Sequence, residues 1–289
     1  PGNGGNNDGV ESFNEFEAYL ASRTNINNTD GAGLIAVCVH DLNIENNNAL
    51  AQNSINVPSN TFIYGPDQEV SRFTNNRTTG AGQDERSVFD CDFTTNVGFA
   101  NLAVIAAGDG GHGFRGGDEC TITEISGGYI DVEGVGSAGI RLYTGATPPF
   151  ERINLIDNVS ILAGGVNAIG IKNEGLIGSI LRSTIRVNDV GGIGIRLMYN
   201  YTTDEISDLR IESLGEGISF NGEASRVTKM SNLSIYSYSY ALDLDSGDRI
   251  DELSGRNSFT NTANDKATIH LRDSQIDILG GRTTIASRG

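Results

Sequence analysis

Hydrophobic and polar positions alternate in short runs along most of this chain, and the runs recur. A small residue leads into a hydrophobic, polar, hydrophobic triplet at Gly139-Ile140-Arg141-Leu142, and the phrase returns at Gly170-Ile171-Lys172-Asn173, Gly194-Ile195-Arg196-Leu197, Gly217-Ile218-Ser219-Phe220 and Ala241-Leu242-Asp243-Leu244. A second alternating triplet lies about half a repeat earlier: Leu102-Ala103-Val104, Ile130-Asp131-Val132, Val159-Ser160-Ile161, Ile185-Arg186-Val187, Leu209-Arg210-Ile211 and Leu233-Ser234-Ile235. Its spacings are 28, 29, 26, 24 and 24. A weaker third run occupies the rest of the repeat, at Ile153-Asn154-Leu155, Ile180-Leu181, Ile206, Val227 and Ile250.

Period-2 alternation bounded by Gly, Asn and Asp predicts short strands with one buried face, separated by turns. Three strands per repeat predict a triangular, all-β solenoid. One coil cannot bury its own apolar face, so stacked coils share a core of aligned Ile, Leu and Val columns. A sandwich of antiparallel hairpins would instead show two-residue turns and no fixed long period.

Early strands are expected at Leu34 to Val39 and Ile55 to Tyr64, with a loop from Asp67 to Gln83. Further loops are expected at Thr144 to Glu151 and Ser254 to Lys266. Ser12, with Glu15 three residues on, reads as a helix N-cap, and Phe13, Phe16, Ala18, Tyr19 and Leu20 give the helix an apolar face over about residues 12–22. The organisation expected is an N-terminal segment, 1–30, and one solenoid domain, 31–289.

The pattern resembles the right-handed, single-stranded parallel β-helix of the pectin-lyase-like superfamily over roughly residues 34–280. The resemblance implies that the N-terminal helix caps the open end of the core. No matching cap is expected beyond Ile269-His270-Leu271 and Ile276-Asp277-Ile278, so a further domain, the polar tail or a second copy of the chain is expected to cover that end.

A length of 289 residues with 37% hydrophobic content suits one elongated domain, and 38 glycines suit many tight turns. The net charge of −17 argues against a nucleic-acid partner and for a soluble extracellular or surface protein. No run of 18 apolar residues predicts a membrane span, and no signal peptide is visible. Cys91 and Cys120 stand one coil apart, which allows either a disulfide or two reduced thiols in a core column. Cys38 is expected in the core.

Stacking the coils aligns the outward position of the small-residue-led triplet into a column: Arg115, Arg141, Lys172, Arg196, Ser219, Asp243, His270. Neighbouring strands lie about 4.8 Å apart, so four cations in a row need compensation. Asp131, Glu133, Glu174 and Glu212 are candidates, as is an anionic ligand. Two residues before the column stand Gly113, Gly139, Gly170, Gly194, Gly217 and Ala241, which suggests a shallow, open groove suited to an extended acidic polymer. The alternative is an ordinary solvated charge run.

Gly111-His112-Gly113, followed by Gly139-Ile140-Arg141-Leu142-Tyr143, is similar to two motifs of the polygalacturonases. The resemblance implies that His112 and Arg141 bind a uronate carboxylate, with aspartates as acid and base. Tyr143 stands where that family has lysine. Asp90-Cys91-Asp92 replaces its adjacent aspartates, and only Asp67 and Glu69 lie near the position of its Asn-x-Asp. A lyase would use a basic residue of the same column to abstract a proton, with cations or Ca²⁺ stabilising the charge.

Asp243-Leu244-Asp245-Ser246-Gly247-Asp248 has some look of a calcium loop but lacks an EF-hand's remaining ligands, and no other cofactor is indicated. There is no Trp, so Tyr143, Tyr199, Tyr201 and the alternating Tyr236, Tyr238 and Tyr240 are the candidate sugar platforms, the last three sharing one outward face. Asn-x-Ser/Thr sequons occur at Asn27, Asn76, Asn158, Asn200 and Asn232.

Two functional readings follow. The first is a secreted or surface β-helix with a binding or assembly role, such as an adhesin, spike or filament subunit. Its partner is an acidic glycan held by Arg115, Arg141, Lys172, Arg196, Tyr143 and Tyr199, or another copy of itself. The second is a hydrolase or lyase of acidic glycans centred on His112, Arg115, Arg141 and Lys172, with Asp90, Asp92 or Asp118 as acid and base.

Overall fold

Isoleucine columns organise the molecule. The computed structural model describes residues 13–27, 35–39, 43–46, 54–66, 71–76, 86–143, 151–222, 224–263 and 265–287. Among them, strands follow one another around three parallel sheets, two of ten strands and one of nine, and each strand pairs with its equivalent one coil away. In sheet A the aligned core position runs Ile63, Phe99, Ile125, Ile156, Ile180, Ile206, Met230, Leu253. Sheet B aligns Phe73, Val104, Ile130, Ile161, Ile185, Ile211, Ile235 and Phe259. Sheet C aligns Phe89, Phe114, Ile140, Ile171, Ile195, Ile218 and Leu242. The fold is thus the all-β parallel solenoid that the periodicity requires.

Register differs from the sequence reading in sheet B. Ile130 pairs with Val104 and Ile161, not with Leu102 and Val159. A slip of two residues keeps every side chain on the same face, so period-2 alternation alone does not distinguish the two alignments.

At one end, helix α1 (Phe13–Asn27) buries Phe13, Phe16 and Leu20. Phe16 packs 5.2 Å from Phe73, which begins a cluster of rings continuing through Phe89, Phe99 and Phe114 at 4.7–5.4 Å. The helix caps the core as expected and runs longer than 12–22. Its Ala18 is exposed, and Ser12 lies outside the described residues. At the other end, Leu271, Ile278, Leu279 and Ile285 are exposed on the last described rung.

Several local expectations change. Ile55 to Tyr64 is two strands, Ile55–Asn56 in sheet C and Thr61–Tyr64 in sheet A, and Asn43–Asn46 is a strand the pattern did not reveal. Arg72–Asn75 and Arg256–Asn261 are strands inside segments read as loops, because Phe73 and Phe259 supply their core positions. The rest of the first loop apart from residues 71–76, and residues 144–150 of the second, lie outside the described residues. Cys38 faces outward between buried Val37 and Val39, as strand alternation dictates. Cys91 and Cys120 are both buried, with free thiols.

The glycine column does not line an open groove. A Cβ at Gly139 would sit 2.5 Å from Ile161 Cγ2, and one at Gly170 2.3 Å from Ile185 Cγ2. These glycines face the core at the corner between sheets B and C, where the chain approaches the isoleucines of sheet B too closely for a side chain.

Candidate functional site

The outer face of sheet C carries the cationic column as expected, in register: Arg115 beside Arg141, then Lys172, Arg196, Ser219, Asp243 and His270. The register extends it at its start to Asp90. A second outer column runs beside it through His112, Ala138, Ile169, Ile193 and Glu216. Ala138, Ile169 and Ile193 form a small buried apolar cluster separate from the main core. His112 therefore belongs to this neighbouring column, three residues ahead of Arg115. Two consecutive inward residues, Gly113 and Phe114, separate the two outward positions.

The first cation is sealed. Arg115 is only 4% exposed, and its Nη1 reaches both Asp90 Oδ2 at 2.6 Å and Asp92 Oδ2 at 2.7 Å. Its Nη2 donates to the Tyr143 hydroxyl at 2.5 Å, and that hydroxyl donates to Asp92 at 3.1 Å, with Asp118 3.5 Å away. Burial pushes the Asp90 carboxyl up to about 6 against the pull of Arg115, and burial likewise raises the Tyr143 phenol. The Tyr143 ring lies between Arg115 and Arg141, with their guanidinium carbons 4.4 and 5.5 Å from its centre. Tyr143, which replaces the lysine of the similar motif, is thus the hub joining the acidic cluster to the cations.

His112 is 1% exposed. Its Nδ1 accepts the Ala138 backbone N–H at 3.0 Å, which assigns the ring proton to Nε2. Burial, followed by Arg141, Arg115 and Lys172, pushes its pKa well below 6.5, so the ring is neutral. Nε2 stands 3.1 Å from Arg141 Nη1. A donor therefore faces a donor.

Beyond this point the row opens. Lys172 Nζ pairs with Glu174 at 2.7 Å. Arg196 makes no ion pair among the described residues, and burial lowers its pKa despite the nearby Glu216 and Glu174. Elsewhere arginines pair across rungs, Arg186 with Glu212, Arg226 with Asp251, Arg249 with Asp277 and Arg272 with Asp245, or within one strand, Arg210 with Glu212 and Arg249 with Asp251. Of the expected compensators, only Glu174 stands beside the row. Asp131 and Glu212 lie on sheet B, where Asp131 accepts from the Tyr129 hydroxyl, and Glu133 follows at the end of the same strand as Asp131.

The Asp243 to Asp248 turn is internally satisfied. Asp243 pairs with His270, Asp245 with Arg272, and Asp248 accepts the backbone N–H groups of Asp245 and Ser225. Among the described residues no group of His, Cys, Asp and Glu could hold a metal ion, and no helix is long and apolar enough to cross a membrane.

Tyr199 lies on the corner beyond its strand, its ring edge-on to Tyr201. Tyr236 and Tyr238 face outward, whereas Tyr240 turns onto sheet C and stacks on His270 at 4.8 Å, because the chain rounds a corner between them. Compared with protein-family models, curated proteins and solved structures, the chain matches none.

Proposed function

We propose that the outer face of sheet C binds an anionic polymer, and that binding is the role of this face. The observation that carries this reading is the in-register row of Arg141, Lys172 and Arg196 on the outer face of sheet C, in which Arg196 makes no ion pair among the described residues. At rung spacing, adjacent like charges near a protein surface repel by about 3 kcal/mol. Glu174 offsets part of this, and an oxyanion chain along the row would offset the rest. A linear acidic glycan, with one carboxylate per sugar, has the required chemistry.

The carboxylates favour binding over hydrolysis. An inverting glycosidase needs two carboxyl groups about 6.5–9.5 Å apart with room for water. Asp90 and Asp92 instead converge on one arginine nitrogen at 2.6 and 2.7 Å, and Asp90 is buried. They hold Arg115 in place.

Polygalacturonate presented to the purified chain tests the reading. We expect saturable binding that weakens steeply between 50 and 500 mM salt, roughly as counterion competition dictates. Arg196→Ala should weaken it about tenfold, the effect of losing one charge-assisted contact. No unsaturated products or new reducing ends should accumulate. Turnover abolished by His112→Ala, or binding indifferent to Arg196→Ala, would overturn the proposal.

A further inference from the structure

The cationic row on sheet C is closed at both ends. At its head the Tyr143 ring lies between Arg115 and Arg141, and behind that ring one guanidinium faces two carboxylates, because Arg115 holds both Asp90 and Asp92. Arg115 is buried and its charge is spent there. At the foot, the rung after Arg196 places buried Ser219 in the row and Glu216 in the column beside it, and the following rung places Asp243 in the row. Asp243 stands 2.7 Å from His270 Nδ1 and stays partly exposed.

Partly exposed cations therefore occupy three consecutive rungs, those of Arg141, Lys172 and Arg196. From the first to the last is about 10 Å at the spacing of paired strands. Glu174 pairs with Lys172 at 2.7 Å and Arg196 makes no ion pair among the described residues, so Arg196 pulls harder on an anion than Lys172 does. A pyranose unit is about as long as one rung is high. An acidic glycan lying along the solenoid axis thus sets no more than three of its units over these cations. A unit beyond Arg196 meets Glu216 and then Asp243, and a unit beyond Arg141 meets the Tyr143 ring with Asp92 behind it. Like charges at that separation repel.

We propose, resting on the reading of sheet C as an anion-binding face, that the row takes a run of three acidic sugar units and that Asp243 closes its foot, so that a longer chain gains nothing from its further units. Calorimetry with di-, tri- and hexagalacturonate at pH 8, where an ordinary imidazole is uncharged, tests it. Trigalacturonate should bind the parent chain about tenfold more tightly than digalacturonate, the effect of one more charge-assisted contact, and hexagalacturonate only the few-fold more tightly that its extra registers allow. Asp243→Lys, which turns the closing charge into a further contact, should tighten hexagalacturonate about tenfold and leave trigalacturonate unchanged. Asp243→Asn, which keeps the size of the side chain, should move hexagalacturonate the same way by less, and it carries the comparison if the lysine variant does not fold. Hexagalacturonate binding the parent chain more than about tenfold tighter than trigalacturonate would overturn the proposal. So would equal affinity for the two- and three-unit ligands, or Asp243 variants that treat every length as the parent does. Absence of binding by all three lengths at millimolar concentration would instead overturn the anion-binding reading of sheet C, and this inference with it.

Discussion

Arg115 and Arg141 are neighbours in register, yet their surroundings give them opposite tasks. Arg115 spends its donors on Asp90, Asp92 and Tyr143, whereas Arg141 points a nitrogen at the proton-bearing side of His112. Tyr143→Phe keeps the ring between the two guanidinium groups but removes the hydroxyl that links Arg115 to Asp92. It should cost about 1–3 kcal/mol in chemical denaturation, because a buried charged donor loses a partner.

Two buried groups give opposite pH signatures. Burial raises Asp248 to about 6 from its ordinary 3.8. The native state therefore holds a proton between about pH 4 and 6 that the unfolded chain has released, so the stability this group contributes is full below that window and is lost as pH rises through 6. His112 is depressed below 6.5, and its contribution is full above pH 6.5 and is lost as pH falls. Urea midpoints from pH 4 to 7 should show Asp248→Asn flattening the loss toward pH 7 and His112→Gln flattening the loss toward pH 4. The same slope in both variants as in the parent would refute these assignments.

At the scale of the strand, burial on one side was legible because alternation reports it directly. Ile140, Ile171, Ile195, Ile218 and Leu242 occupy one aligned core column. Ile171→Ala should therefore cost about 2–5 kcal/mol, the range for an interior methyl cluster removed without collapse. The outward cation column followed from the same register. The orientation of the small residues did not, since alternation assigns Gly139 to the face of Arg141 whereas at the corner Gly139 and Ile140 both face inward. Gly139→Ala should destabilise by about 1–3 kcal/mol through overpacking against Ile161 and the Gly170 carbonyl. Stability equal to the parent in the same urea titration would place that column on the surface after all. Strands such as Arg72–Asn75 and Arg256–Asn261 were hidden because a single aromatic anchors each in an otherwise polar run. The partners of Arg115 were visible as Asp90 and Asp92, but their closure around it depends on side-chain burial that spacing does not encode.

At the scale of the whole molecule, the solenoid converts sequence period into linear arrays. Each rung contacts its two neighbours, so a substitution at one rung acts locally on the row it belongs to. On sheets A and B, Arg186, Arg226 and Arg249 pair with carboxylates of the next rung, whereas in the sheet C row Arg196 makes no ion pair among the described residues, so that row is where an anion gains most. The most direct test is a ¹H–¹⁵N NMR titration of the His112 Nε2–H with trigalacturonate. The account predicts a saturable change in the shift of that proton as a carboxylate binds the row beside Arg141, with the Nε2–H tautomer retained. An unshifted resonance at saturating ligand, or a free ring carrying its proton on Nδ1, would contradict it.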